Sequence, residues 1–303
     1  MKLKTLWLSP LLLALGAQPL MAKVNNEQAS QLGKNLTAIG AEKKANATGT
    51  IPAYTGGLAT SLNNDPFENI FAHESALFTI TSSNLDQYRQ NLTPGQIALF
   101  QRYPDTYKMP VYPTHRTAAY SKQVKQKAQQ NATTTELVDG GNGIKNFNET
   151  IPFAIPKNGL EVIWNHMSRY RGGSVQRNTA QVPVQRDGSF TPIKMRSQLT
   201  APQYLVEGYD EKADDNVMFY YTQAIKSPAR LTGNVLLVHE TIDQVNQPRM
   251  AWNYNAGQRR VRRAPQVAYD APGMASEGLR TADQLDMFNG APNRYNWKLV
   301  GKK

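Results

Sequence analysis

Cysteine is absent from all 303 residues. That absence excludes zinc ribbons, thiolate clusters, disulfide scaffolds, cysteine nucleophiles and lipidation of an N-terminal cysteine. Histidine is scarce, at His73, His115, His166 and His239. None of the four stands at zinc-motif spacing to another, and no H-E-x-x-H occurs. His166 follows Glu161 by five residues, on a different helix face, and the adjacent pair His239-Glu240 points to opposite sides of a strand. After the first 22 residues no apolar run approaches the roughly 18 needed to cross a bilayer as a helix. No G-x-S-x-G elbow occurs, so a serine hydrolase is unsupported. Gly140-Gly141-Asn142-Gly143 lacks the Lys-Ser/Thr of a phosphate loop and reads as a turn. Asp214-Asp215 sits in a polar turn and carries no information on carboxylate separation. No catalytic set and no metal-ligand set emerges from these residues.

What is present begins with an address. Lys2 and Lys4 precede the apolar stretch Leu6 to Ala17, Pro19 breaks it, and Leu20-Met21-Ala22 ends on a small residue before Lys23. This is the pattern of a secretory signal peptide over residues 1–22, cut after Ala22, with a competing cut after Ala17. Export without disulfides suggests the periplasm of a Gram-negative cell. The formal charge of +11 becomes +9 once Lys2 and Lys4 leave. On an exported chain that excess points to anionic lipid surfaces or acidic partners, and no nucleic-acid partner is expected. General solubility accounts for the same charge.

Along the mature chain, residues 23–150 are rich in Asn, Gln, Thr, Pro and Gly with short helical patches. Leu32, Leu36 and Ile39 suggest a helix over Gln28–Ile39, ended by Gly40. Thr93-Pro94-Gly95-Gln96 is a capping box with Pro in the first turn, ahead of Ile97, Leu99 and Phe100. Ala118 to Gln130 reads as a basic helix carrying Lys122, Lys125 and Lys127. Asn158 caps a further helix with Glu161 three residues on, and Leu160, Ile163, Trp164 and Met167 form one apolar stripe.

From Gly173 the apolar period becomes two. Strands are expected over Ser189–Leu199, Val217–Ile225, Arg230–Ile242, Met250–Tyr254 and Arg259–Arg263, joined by turn sequences short enough for antiparallel neighbours. Val217 to Tyr221 and Val235 to Val238 are apolar on both faces, as in a covered sheet. The order of helices first and a strand meander after them is the α+β pattern, here a curved antiparallel sheet with helices on its concave side. The densest charge run is Arg259, Arg260, Arg262 and Arg263 around Val261. Arginine at this density suits capture of an anionic group or contact with a partner. A strand edge charged against aggregation is the other reading.

Several stretches resemble the domain of unknown function 1329 family of proteobacterial periplasmic proteins. They are Leu36 to Lys43, Gly49 to Leu58, Leu92 to Gln96, Tyr103 to Asp105 and Met109 to Ala118, then Ile155 to Glu161, the run Arg259 to Pro265 and Leu285 to Gly290. The resemblance spreads over nearly all of the mature chain. That family is similar to the LolA-like lipoprotein-sorting group, through Trp252-x-Tyr254 followed by Arg259 to Arg263, with Ser276 and Asp283 in the polar stretch beyond. The resemblance implies an unclosed half-barrel plugged by helices around an acyl-chain cavity, in a non-enzymatic carrier without a cofactor. It also implies an inner-membrane efflux-type transporter and an outer-membrane protein as partners. A seat peripheral to the outer membrane belongs to the same expectation.

The cavity residues expected on this reading are Leu160, Trp164, Met167, Phe219, Tyr221, Leu237 and Trp252. Residues 151–303 are expected to form the LolA-like sheet region, with 23–150 as an N-terminal extension. Tyr295 to Val300 reads as one more strand entering that sheet, and family members continue past the position of Lys303 with further strands. A sheet left incomplete at its C-terminus is the expectation. A periplasmic subunit that docks on a transporter without binding lipid is the alternative.

Overall fold

The computed structural model describes residues 23–58, 68–148, 150–205, 207, 210 and 214–301. The signal-peptide segment 1–22 lies outside the described residues. The chain divides into two compact units, residues 30–126 and residues 23–29 with 127–301. The second unit therefore begins well before the boundary expected at 150.

In the first unit, β1 (Phe78–Ile80) pairs antiparallel with β2 (Met109–Val111). Between them lie α2 (Leu85–Tyr88) and α3 (Pro94–Arg102); α1 (Asn26–Ala29) precedes them in the chain. The α3 start follows its local chemistry. Thr93 Oγ1 accepts from Gln96 N at 3.3 Å while Gln96 Oε1 accepts from Thr93 N at 2.9 Å, a complete capping box. Ile80, Leu85 and Phe100 close a small core. The helix expected over 28–39 is not formed. After α1 the chain makes isolated bridges from Leu36 to Leu32 and to Glu42, so its apolar residues serve turns. Arg116 holds those turns, donating to Glu42 O at 2.6 Å and lying over the Tyr54 ring at 5.1 Å.

α4 (Lys122–Thr134) leads to a two-stranded ribbon of β3 (Glu136–Leu137) and β4 (Ile144–Lys145), then to α5 (Gly159–Ser168). The main sheet follows as a meander of β5 (Ser174–Gln181), β6 (Ile193–Thr200), β7 (Val217–Ser227), β8 (Val235–Thr241), β9 (Met250–Asn255) and β10 (Arg260–Arg263). All neighbours are antiparallel, in the spatial order β10-β9-β8-β7-β6-β5. The six strands form an open sheet, not a closed barrel, with β5 and β10 at its edges.

One face of the sheet is covered by α5 and by the irregular segment 264–291. Trp164 and Met167 pack with Met218, Phe153, Ile144 and Ile242. Met274 packs against both Ile193/Met195/Ile225 and Leu236/Val238/Ala251. Among the described residues α5 is the one α-helix whose side chains line this face; a 3-10 turn over Pro265–Ala268, through Val267, and coil supply the rest of the cover.

The strand expected over Tyr295–Val300 is not formed. A Cβ on Gly159 would sit 2.5 Å from the Trp297 carbonyl carbon, so the chain crosses the α5 N-terminus at backbone contact. The Trp297 indole packs on Phe288 at 5.0 Å and donates to Pro292 O at 2.9 Å. That aromatic packing takes the place of pairing with a sheet edge.

Candidate functional site

Side chains alternate across a strand, so register decides which of them face the covering segment. Val175, Leu199, Tyr221, Val238 and Ala251 form one continuous row across β5 to β9. Arg177, Ser197, Gln223, Leu236 and Asn253 form the next. Between these rows and their cover lies a cavity of about 680 Å³, within the roughly 300–1,000 Å³ usual for a small ligand. A register shift between Val217 and Phe219 places two consecutive residues, Met218 and Phe219, against it. This is the use a β-bulge commonly serves beside a site, re-aiming a side chain. Met167, Met195, Met218 and Met274 supply unbranched, polarizable wall that adapts to the shape of an apolar guest.

Of the seven residues expected at the cavity, Trp164, Met167, Phe219 and Tyr221 line it. Leu160 does not. It lies against Gly141, where a Cβ would come within 2.5 Å of its Cδ1. Leu237 and Trp252 are also displaced from the expected place. They are cross-strand partners on the opposite face, where Trp252 meets His239 at 4.9 Å and Arg263 at 5.6 Å. Their neighbours Leu236, Val238 and Asn253 line the cavity instead. In a strand apolar on both faces, composition carries no parity, and a slip of one residue exchanges the faces.

The arginine run lies on β10 and its turn. Arg260, Arg262 and Arg263 are exposed on the edge strand, and Arg259 occupies the turn with φ of +51°. None of the four lines the cavity. Arg262 donates to Gln258 Oε1 at 3.1 Å.

The cavity also has a buried polar end that sequence reasoning missed. Glu240, on the face opposite to His239, pairs with Arg249; both are almost fully buried. Gln244 donates to Glu240 Oε1 at 3.0 Å, and Arg249 donates to Asn289 Oδ1 at 2.6 Å and Val267 O at 3.1 Å. These hydrogen bonds offset part of the cost of taking both charges out of water. Arg249 Nε and Asn253 Oδ1 are buried and find no partner among the described residues. Nothing local in the sequence marks Arg249, which follows a turn and precedes β9.

The cover is fastened to α5 by charge. Asp286 accepts from Arg169 at 2.7 Å and pairs with Arg171 at 3.3 Å, while its carbonyl accepts from His166 Nε2 at 2.7 Å. Burial pushes the Asp286 carboxyl up, but the hydrogen bond from Arg169 and the charges of Arg169 and Arg171 outweigh it. The net effect holds the group below the usual carboxylate range. Burial pushes the Tyr221 phenol up, opposed by Ser197 and by the charges of Arg177 and Arg280. Among the described residues no group of three or more His, Cys, Asp or Glu is placed to hold a metal ion.

The sequence model of the family described as protein of unknown function (DUF1329) matches residues 79–303, and the chain belongs to that family. It is similar to an uncharacterized protein of Pseudomonas aeruginosa, 56% identical over 297 residues, which make up 97% of this chain and 65% of the relative. The chain thus spans just under two thirds of that relative's length. No solved structure matches it.

Proposed function

We propose that this protein is a non-enzymatic periplasmic carrier that holds an acyl chain between the six-stranded sheet and its cover, in the manner of LolA-like proteins. The observation that carries this reading is the cavity of about 680 Å³ whose walls include four methionines with Phe219, Val238 and Trp164. Each CH₂ moved from water into such a space contributes about 0.8 kcal/mol, so an acyl chain binds tightly without any reaction at the protein. The volume suits one chain better than the several chains of a lipoprotein anchor. In this reading the protein serves traffic toward the outer membrane, and α5 with segment 264–291 is the part that must yield for the ligand to enter.

Native mass spectrometry of protein purified from periplasm, with organic extraction of the bound material, tests it. An acyl-chain species at one per protein is expected. It should be lost in Val175→Asp and Phe219→Asp, which place a charge in the cavity wall, and kept in Thr222→Asp on the opposite face. A folded parent protein that is empty, and that takes up no fatty acid or fatty alcohol on addition, overturns the reading.

A second reading rests on the other end of the sheet. Arg260, Arg262 and Arg263 are exposed on an edge strand, which suits docking to an acidic surface of a membrane transporter. Salt-sensitive co-purification with a membrane protein, abolished by changing these three to Gln, would favour it.

A further inference from the structure

The cavity wall includes four arginines, Arg171, Arg177, Arg249 and Arg280, but two carboxylates, Glu240 and Asp286. Both carboxylates are already engaged, Glu240 by Arg249 and Asp286 by Arg169 and Arg171. Arg177 and Arg280 are left over, and neither has a carboxylate at ion-pair distance among the described residues. They approach from two sides, Arg177 from β5 and Arg280 from the covering segment. Arg177 is exposed and Arg280 half-buried, so the pair belongs to the mouth and the apolar wall to the depth.

Arg280 is held in place by its own loop. Gly273 N donates to Arg280 O at 2.8 Å, and the buried Ser276 hydroxyl bridges Gly273 O and Arg280 O at 2.8 and 3.0 Å. A Cβ on Gly273 would lie 2.9 Å from the guanidinium carbon, so the missing side chain is what lets the guanidinium lie against the backbone. Arg280 also donates to Thr281 O at 3.0 Å, which leaves its remaining N–H groups for another acceptor. Tyr221, Ser197 and Gln223 line the cavity beside the two arginines and are bonded to one another, the Tyr221 hydroxyl donating to Gln223 Oε1 at 2.8 Å, so the two guanidinium groups remain the cationic donors for an anionic guest.

We infer that the ligand is a single-chain amphiphile with an anionic head, a carboxylate or phosphate, seated between Arg177 and Arg280 with its chain running toward Met218 and Trp164. The inference rests on the carrier reading above and adds the chemistry of the headgroup. Planar guanidinium groups take carboxylate and phosphate oxygens in pairs, and such charge-assisted bonds strengthen where water is partly displaced.

The test compares palmitate with hexadecanol, and lysophosphatidic acid with inorganic phosphate, by titration of delipidated protein at mildly alkaline pH. Palmitate should bind more tightly than hexadecanol by about tenfold or more, the scale of a hydrogen bond to a charged group. That ratio should fall toward one in the Arg177→Gln/Arg280→Gln variant and partway in Arg177→Gln alone. Gly273→Ala should also lower it, because the added methyl displaces the guanidinium while both arginines remain. Arg196→Gln, on the opposite sheet face, should keep the parent ratio. Lysophosphatidic acid should compete with palmitate, and inorganic phosphate alone should not. A ratio near one in the parent, or one unchanged in the double variant, overturns the headgroup assignment and leaves the carrier reading standing. Phosphate that binds without competing with the chain marks a free-anion site and overturns it too. Binding of neither palmitate nor hexadecanol overturns both.

Discussion

The two faces of the six-stranded sheet are made from the same strands and behave as different materials. On the covered face, Met195, Leu236, Val238 and Ala251 are buried and a charged pair, Glu240 with Arg249, is sealed in with them. On the opposite face, Leu237, Trp252, Tyr220 and His239 are half-exposed, and the three rings meet edge to face, at 4.6 Å for Tyr220 with His239 and 4.9 Å for His239 with Trp252. Leu237 and Val238 are adjacent, similar in size and equally apolar, yet one faces solvent and the other the cavity. Hydrophobicity makes a residue suitable for burial, and the location of the cover decides whether burial happens.

The largest expected effect comes from the covered face. Arg249→Met strands the Glu240 carboxylate in a buried site and should destabilise the protein by about 3–5 kcal/mol, measured by urea unfolding. Adding Glu240→Leu should recover most of that loss, since removing both partners removes the uncompensated charge. No recovery would mean that the hydrogen bonds linking the pair to Gln244, Asn289 and Val267, and not the stranded charge, account for the loss.

A smaller effect tests the parity directly. Val238→Asp should cost roughly 3 kcal/mol or more, and Leu237→Asp about 1 kcal/mol, because only the first buries an ionisable group away from water. Equal costs, or the reverse order, would place the faces the other way around. On the open face, Arg263→Ala removes a guanidinium from over the Trp252 ring and should cost roughly 0.5–1 kcal/mol, with a change in indole fluorescence.

The smallest effect is the acid dependence of the cover. A carboxyl whose folded pKa is lowered contributes stability that is fully present above its ordinary unfolded pKa. That contribution is lost as pH falls through the lower folded value. For Asp286 the loss should therefore begin below the usual carboxylate pKa and amount to about 1 kcal/mol or less, since the pair is partly exposed. Unfolding titrations across acid pH should display the step in the parent and lose it in Asp286→Asn.

Local chemistry was the legible part of this fold. The Thr93–Gln96 capping box and the Asn158 cap, whose Oδ1 accepts from Glu161 N at 3.0 Å, mark the starts of α3 and α5. The change of period near Gly173 marks the meander, and its short turns make it antiparallel. Segment 264–291 was not legible, because it has no period at all, and its residues cover the sheet through single contacts such as Met274 and Phe288. The aromatic run Tyr295–Val300 misled for the opposite reason. It has the composition of a strand, but Trp297 finds Phe288 and the bare backbone at Gly159.

The cavity divides along the same line. Trp164 and Met167 were readable as a stripe because a helix has one apolar face, and Phe219 with Tyr221 fell on the lining side of β7. For β8 and β9 nothing in Val235-Leu236-Leu237-Val238 distinguishes one side from the other. Arg177 and Arg280 stand 103 positions apart and become a pair only through the fold. Caps, period and turns are local, and they were enough to mark the starts of α3 and α5 and an antiparallel meander, but not β5 (Ser174–Gln181), the start of β8 at Val235 or the missing elements at 28–39 and 295–300. The tertiary structure alone decided which face of the sheet is covered, which arginines lack a carboxylate and where the cavity lies. Those properties depend on contacts between residues far apart in the chain, and such contacts leave no trace in local spacing.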